Sequence, residues 1–290
     1  MISEDWRIHR KYRRCDEKSL WLTFEELQSL FSTFTVCRYQ DSMTSRTSKF
    51  QLEGSGAFGL SLAVKQKSSL FLEVLQEDKV FCPQDYQYSK IRLFVLKDKE
   101  FVLGVGKQHS LVKTTLNPNG SKSTFCEIRL GKGNYKLVAD VQKKGGEELS
   151  GGEAPRNFQF VIYSTKMSYE LGPLQERGVD AILMETLSNL AIQRGSVQAL
   201  NQERSLRRYV FSSAKIGICV FTYANRSSKT YIVLDRLQVD GDFICSKNLE
   251  NGKVRITLPS KSKKFLVFRY GNQVPFKVEI LESSSCVRTK

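Results

Sequence analysis

Histidine is almost missing from this sequence: His9 and His109 are the only two among 290 residues. A thiol or hydroxyl nucleophile needs a base beside it, most often an imidazole, so nucleophilic catalysis has little to draw on. His9 falls in a basic run and His109 in GVGKQHS, read as a turn between strands, with nothing near either one to orient the ring. Long apolar runs are missing as well. No stretch reaches the ~18 residues of a membrane-spanning helix. The start, MISEDWRIHRKYRR, is charged throughout and has no apolar core of a secretory leader. Cysteine pairs are the third absence. Cys15, Cys37, Cys82, Cys126, Cys219, Cys245 and Cys286 are odd in number and never spaced C-x-x-C. That argues against a disulfide framework or a zinc site and for reduced thiols in the cytoplasm or nucleus.

What is present is apolar and basic. Hydrophobic residues make up 40% and aromatics 11%, too much for a disordered chain, and the six prolines leave room for strands. The formal net charge is +15. Its densest groups are Arg7 to Arg14, then Arg204, Arg207 and Arg208, then Lys261, Lys263 and Lys264. Such clusters suit an acidic membrane surface or an acidic protein. Nucleic acid is not expected. Lys264, Phe265, Phe268, Arg269 and Tyr270 interleave cations with aromatics, but strand alternation sends Phe265 and Phe268 to opposite faces, as in a doubly buried strand.

Periodicity divides the chain. Phe24, Leu27, Leu30, Phe31 and Phe34 recur at helical steps, with Thr23 and Glu26 as a capping box. Ser42 to Ser48 reads as a polar linker. Short apolar runs follow at Ser69 to Leu75, Ile91 to Leu96, Phe125 to Leu130, Tyr135 to Val141 and Phe158 to Tyr163, spaced as in an antiparallel sandwich. Val179, Ile182, Leu183, Leu187, Leu190 and Ala191 form a helical stripe closed by Gly195. A second set of strands is expected at Lys215 to Tyr223, Thr230 to Leu237, Lys253 to Leu258, Phe265 to Arg269 and Phe276 to Leu281.

The two sets echo one another. Ser89-Lys90-Ile91 has a counterpart in Ala214-Lys215-Ile216, Ile128-Arg129-Leu130 in Ile256-Thr257-Leu258, and Phe158-Gln159-Phe160 in Phe276-Lys277-Val278. The first two pairs lie roughly 125 to 130 residues apart, a domain-sized offset.

Three motifs suggest chemistry and fail on inspection. Gly54, Gly56 and Gly59 satisfy G-x-G-x-x-G, but no H-R-D or D-F-G follows, and no helix opens on the glycines as a dinucleotide fold requires. The stretch reads as a flexible joint. Asp240-Gly241-Asp242 alternates as calcium ligands do, yet stands alone, so no metal or cofactor is expected from the residues. Asn225-Arg226-Ser227 matches the glycosylation sequon, which a cytoplasmic chain does not use.

The segment DEKSLWLTFEELQSLFSTFTVCRY, Asp16 to Tyr39, resembles the end of the calpain protease core, with Trp21, Thr23, Phe24, Glu25, Phe31, Val36 and Cys37 in the places of that pattern. The strands that follow are similar to the C2-like sandwich of calpains, best at Leu130, Gly133 and Tyr135 and at the closing Phe158 to Tyr163. The likeness covers residues 16 to 167. The calpain nucleophile segment, catalytic histidine and Asn-Pro-Trp motif are not in the sequence, and neither are calmodulin-like calcium hands.

The resemblance therefore implies a non-catalytic, calpain-like regulatory module, or else the C-terminal part of a calcium-dependent cysteine endopeptidase whose core lies outside this chain. Calcium enters only by that resemblance. The expected fold is mainly β, with two antiparallel C2-like sandwiches. The expected divisions are a helical segment at 1–48, a sandwich at 49–168, a helical linker at 169–206 and a second sandwich at 207–285. The expected partners are a protein, such as a calpain-type protease core, or acidic phospholipid, with the chain cytoplasmic and, in the second case, peripheral at membranes. The residues expected to carry binding are Arg204, Arg207, Arg208, Lys261, Lys263 and Lys264; none is expected to be catalytic or to bind metal.

Overall fold

Strands dominate the computed structural model. It describes Thr23, Glu25, Ser29 and residues 43–290, apart from 83, 85, 100–107, 118–120, 143–154, 166–167, 175, 241–242, 247–248, 250, 271–276 and 288–290. The contacts divide the chain into Met1–Asp41 and Ser42–Lys290. Of the amphipathic helix expected at the N-terminus only Thr23, Glu25 and Ser29 are described; Trp21 and Phe24 lie outside the described residues, as does His9.

The strands of the first half are β1 (Thr44–Leu52), β2 (Gly56–Val64), β3 (Ser68–Gln76), β4 (Lys90–Lys99), β5 (Gln108–Asn117), β6 (Ser123–Leu130), β7 (Gly133–Gln142), β8 (Arg156–Ser164) and β9 (Tyr169–Pro173). Helix α1 (Glu176–Arg194) follows. The second half has β10 (Ser196–Ala199), β11 (Leu206–Ser213), β12 (Ile218–Asn225), β13 (Tyr231–Asp240), β14 (Phe243–Cys245), β15 (Lys253–Leu258), β16 (Lys263–Tyr270) and β17 (Lys277–Val287). They pair into four antiparallel sheets: A (β1-β8-β3-β6), B (β5-β4-β7-β2-β9), C (β10-β11-β12-β16-β14) and D (β15-β13-β17).

Sheets A and B enclose one core, with Phe58, Leu72, Leu93, Leu137 and Phe160 among its buried residues. Sheets C and D enclose another around Phe221, Tyr223, Val233, Ile256 and Phe268. A third cluster joins the two. Phe94, Leu96 and Val138 of sheet B, Val179, Leu183, Leu187 and Ala191 of α1, and Tyr209, Ile218, Val220 and Val267 of sheet C pack together. The runs IRLFVL and ICVFTY are continuous rather than alternating because β4 and β12 are buried on both faces.

This shared core corrects the expected divisions. Residues 169–206 are not a linker: β9 adds to sheet B, β10 adds to sheet C, and α1 is buried between those sheets. The polar stretch Ser42 to Ser48 is not a linker either, because Thr44 onward is β1, paired along its length with β8. The glycine string is no joint. Gly56–Val64 is β2, held between β7 and β9. A Cβ at Gly59 would overlap the carbonyl oxygen of Leu137, so the glycine permits close approach rather than bending. His109 lies in β5, opposite Asp98 of β4, not in a turn.

The internal echo is real in topology. In the first sandwich β2 and β4 flank β7, and β6 and β8 flank β3. In the second β12 and β14 flank β16, and β15 and β17 flank β13. Thus β2, β3, β4, β6, β7 and β8 correspond in order to β12 through β17. The pairs at Ile128/Ile256 and Phe160/Val278 fall on corresponding strands. The pair Ser89/Ala214 does not, because Ala214–Ile216 is a 3-10 turn between β11 and β12.

Candidate functional site

The antiparallel register of β11, β12 and β16 carries the two distant basic clusters to one end of sheet C. Arg207 pairs with Ala224, and Ala224 with Lys263. Three turns close that end and are laced together by backbone bonds. The Arg226 amide donates to the Ser205 carbonyl at 2.8 Å, the Lys261 amide to Ser227 at 3.1 Å, and the Asn225 amide to Ser262 at 2.8 Å.

Asn225 locks the middle turn. It is 2% exposed, and its Nδ2 donates to the carbonyls of Lys229, Leu258 and Pro259. Its Oδ1 accepts from the Ser227 amide. That buried amide is a structural staple, with no room for a glycan.

The result is a rigid basic end. Arg204, Arg226, Lys229, Lys261, Lys263 and Lys264 are exposed and Arg207 is half-buried. Among residues 200–205, 226–230 and 259–262, Glu203 is the single carboxylate. Arg204 and Lys261 sit at the turn tips with φ of 53° and 51°. Glycine or asparagine is the usual occupant of such left-handed positions, and here both carry cations.

Arg208 does not belong to this end. It is 1% exposed and faces the core between sheets C and D. Its guanidinium donates to Asp235 at 2.6 Å, to Ser283 at 3.2 Å, and to Gln198. Asp235 also accepts from Tyr223 and Ser283, each at 2.6 Å. Burial first, and then the Asp235 carboxylate, push the Tyr223 phenol well above its ordinary range. The assignment of Arg208 to a binding surface is thus corrected: alternation turns it inward while its neighbour Arg207 turns out. Arg226 and Lys229 were missed in the sequence, because their places depend on which strands pair.

A second buried network holds the two sandwiches together. Arg92 of β4, with no exposed surface, donates through Nε to the Ile216 carbonyl at 3.0 Å and through Nη2 to Gly217 at 3.3 Å. Its Nη1 meets Asp140 at 3.3 Å, and Arg269 of β16 meets the other oxygen of Asp140 at 2.6 Å. Burial opposes the Arg269 charge, yet Asp140 and Asp180 raise its pKa above the ordinary value. This seam lies where β12 begins and β16 ends. The basic end lies at the other end of the same strands, some 25 Å away at ~3.3 Å per residue.

Burial pushes the Cys126 thiol up to about 11 and the Cys219 thiol to about 12, far from a thiolate nucleophile. Among the described residues no three His, Cys, Asp or Glu side chains converge as metal ligands, and no helix is long and apolar enough to cross a membrane. Of the calcium candidate, Gly241 and Asp242 lie outside the described residues.

No family model matches the chain, and no curated protein matches it. Among solved structures, an oxalate decarboxylase from Lactobacillus farciminis in complex with formate aligns at 7% identity over 84% of this chain and 79% of that one, with a TM-score of 0.18. The vicilin from Solanum melongena aligns at 9% identity over 82% and 77%, with a TM-score of 0.21. Likeness at this level defines neither fold nor function.

Proposed function

We propose that this chain is a non-catalytic interaction module of the calpain-like kind, and that it docks on acidic phospholipid through the basic end of its second sandwich. One observation carries the reading: three interlocked turns gather Arg204, Arg207, Arg226, Lys229, Lys261, Lys263 and Lys264 around a single carboxylate. Basic residues near an anionic surface contribute about 1 kcal/mol each, so a handful gives reversible, salt-sensitive attachment. Among the described residues, the three turns expose no large aliphatic or aromatic side chain, which fits adsorption to headgroups rather than penetration.

The test is sedimentation of the full chain with vesicles of phosphatidylserine and phosphatidylcholine, against phosphatidylcholine alone. Binding to the acidic vesicles, weakened by salt and unchanged between calcium and chelator, is the expected result. Equal binding to neutral vesicles contradicts the proposal. So does failure to bind either, which transfers the basic end to an acidic protein partner.

A further inference from the structure

The two sandwiches repeat one another, but they are not equally closed. In the first, β8 has β3 on one side and β1 on the other, paired along all nine of its residues. Five of those nine are buried. Its counterpart in the second sandwich is β17. There β13 lies on one side, and among the described residues no strand lies on the other. β17 has eleven residues, and none of them is buried. Val278 and Ile280 pack only partly on the second core. Val287 stands opposite buried Tyr231 yet is 44% exposed, and Leu281, which a bulge leaves without a partner on β13, is 50% exposed.

An unpaired edge is a template for another strand, and the other edges of the four sheets are blunted. β9, β10 and β14 have five residues or fewer. β1, β5, β6 and β15 carry Arg46, Lys113, Glu127 and Arg255 within them. The end of β17, Ser283 to Val287, carries no charge. Copies of a chain with net charge +15 repel one another, so an uncharged edge is where two of them can approach.

Two-fold pairing also needs a stretch that matches itself read backwards. Centred on Ser284, β17 does. Leu281 falls opposite Val287 of the second copy, Glu282 opposite Cys286, and Ser283 opposite Ser285. The two exposed aliphatic side chains meet, and no like charges do. A centre at Glu282 would set two carboxylates face to face. The antiparallel arrangement also keeps the basic ends apart. β17 runs toward its own basic end, with Val287 beside Tyr231 just past the turn at 226–230. The second copy runs the other way.

We infer that the chain forms a two-fold dimer in which β17 pairs with β17 of a second copy about Ser284. Sheet D then continues from one molecule into the next, and the second copy gives β17 the neighbour that β1 gives β8. One short strand pair is a small interface, so the association is reversible and depends on concentration. The inference does not rest on the lipid reading.

Sedimentation equilibrium of the full chain over a dilution series reads the dimer. Leu281→Lys with Val287→Lys sets like charges opposite one another twice and weakens dimerisation about tenfold. Leu281→Glu with Val287→Lys pairs opposite charges in the same register and restores it. Ser284→Cys in a Cys286→Ser background places two thiols across the axis, at the ~4.5–5.5 Å between Cα atoms that a disulfide can span. Mild oxidation then yields a covalent dimer, and Cys286→Ser alone yields none. If the lysine variant loses its fold, the charge-paired and cysteine variants still decide. A monomer at every concentration overturns the inference. So does a dimer indifferent to the lysine variant, or one that Ser284→Cys fails to cross-link.

Discussion

The basic end and the seam between the sandwiches are both built on arginine, and the side chain has opposite consequences in them. At the basic end Arg204 and Arg226 are exposed at turn tips, where solvent screens them and stability hardly depends on their charge. At the seam buried Arg92 and half-buried Arg269 share the buried carboxylate of Asp140, where removing the partner leaves a buried cation uncompensated. Adjacent residues make the same contrast within one strand, since Arg207 turns outward and Arg208 is buried against Asp235. Net charge therefore says nothing about where a cation works; register does.

The contrast breaks first at its buried half. Asp140→Asn removes the anion of the seam and is expected to cost about 3–5 kcal/mol. It should also split one calorimetric transition into two, as the sandwiches lose their shared tie. Asp235→Asn should cost a similar amount, but through the second core alone, without splitting the transition. A single transition for Asp140→Asn would mean that the apolar cluster around α1 is the sufficient joint.

The exposed half is expected to behave in reverse. Arg204→Glu with Arg226→Glu and Lys261→Glu should shift stability by no more than about 0.5 kcal/mol per site. The same variant should weaken binding to acidic vesicles about a hundredfold, from ~1 kcal/mol per lost cation. A large drop in melting temperature would place these residues in the structure rather than at its surface.

A smaller effect sharpens the electrostatics of the seam. Burial holds the Asp180 carboxyl above its usual range, with Arg269 opposing and Asp140 adding to the shift. An acid whose folded pKa is raised binds more protons folded than unfolded, so stability falls as pH rises from the unfolded value of about 3.9 through the folded one. Asp180→Asn should remove that fall. It should match the wild type near pH 3 and exceed it at pH 7 by less than about 1 kcal/mol, because the group is partly solvated. Denaturant titrations at the two pH values read the difference.

The smallest change is chemical. Iodoacetamide should modify exposed Cys286 in the native protein and spare Cys126 and Cys219, whose thiols are buried and pushed up to about 11 and 12. Peptide mass mapping in native and denaturing buffer checks it.

Much of the β architecture was legible in the sequence, because doubly buried strands such as β4 and β16 are written as apolar runs. Lys253–Leu258 was placed to the residue, and the stripe of α1 with its closing Gly195 was plain. Edge strands were not legible. Thr44 to Ser48 is polar because β1 is held by backbone pairing at the rim of sheet A, where few side chains are buried. Gly56 and Gly59 looked like a joint because a close approach to β7 leaves no local mark that separates it from flexibility. The basic end was half legible. Charge density found Arg204 and Lys261, but only the pairing of β11, β12 and β16 adds Arg226 and removes Arg208.

The central claim is that position, not net charge, directs the chain to anionic lipid, and one paired measurement tests it most directly. Arg204→Glu with Arg226→Glu and Lys261→Glu is compared with Lys79→Glu, Lys215→Glu and Arg255→Glu together, an equal reversal at exposed sites away from the basic end. Binding of both to phosphatidylserine vesicles is followed across salt concentrations. Loss in the first variant, with near wild-type binding in the second, is the result expected. Equal losses in both would show that the vesicle reads overall charge, and that the basic end is not a docking site.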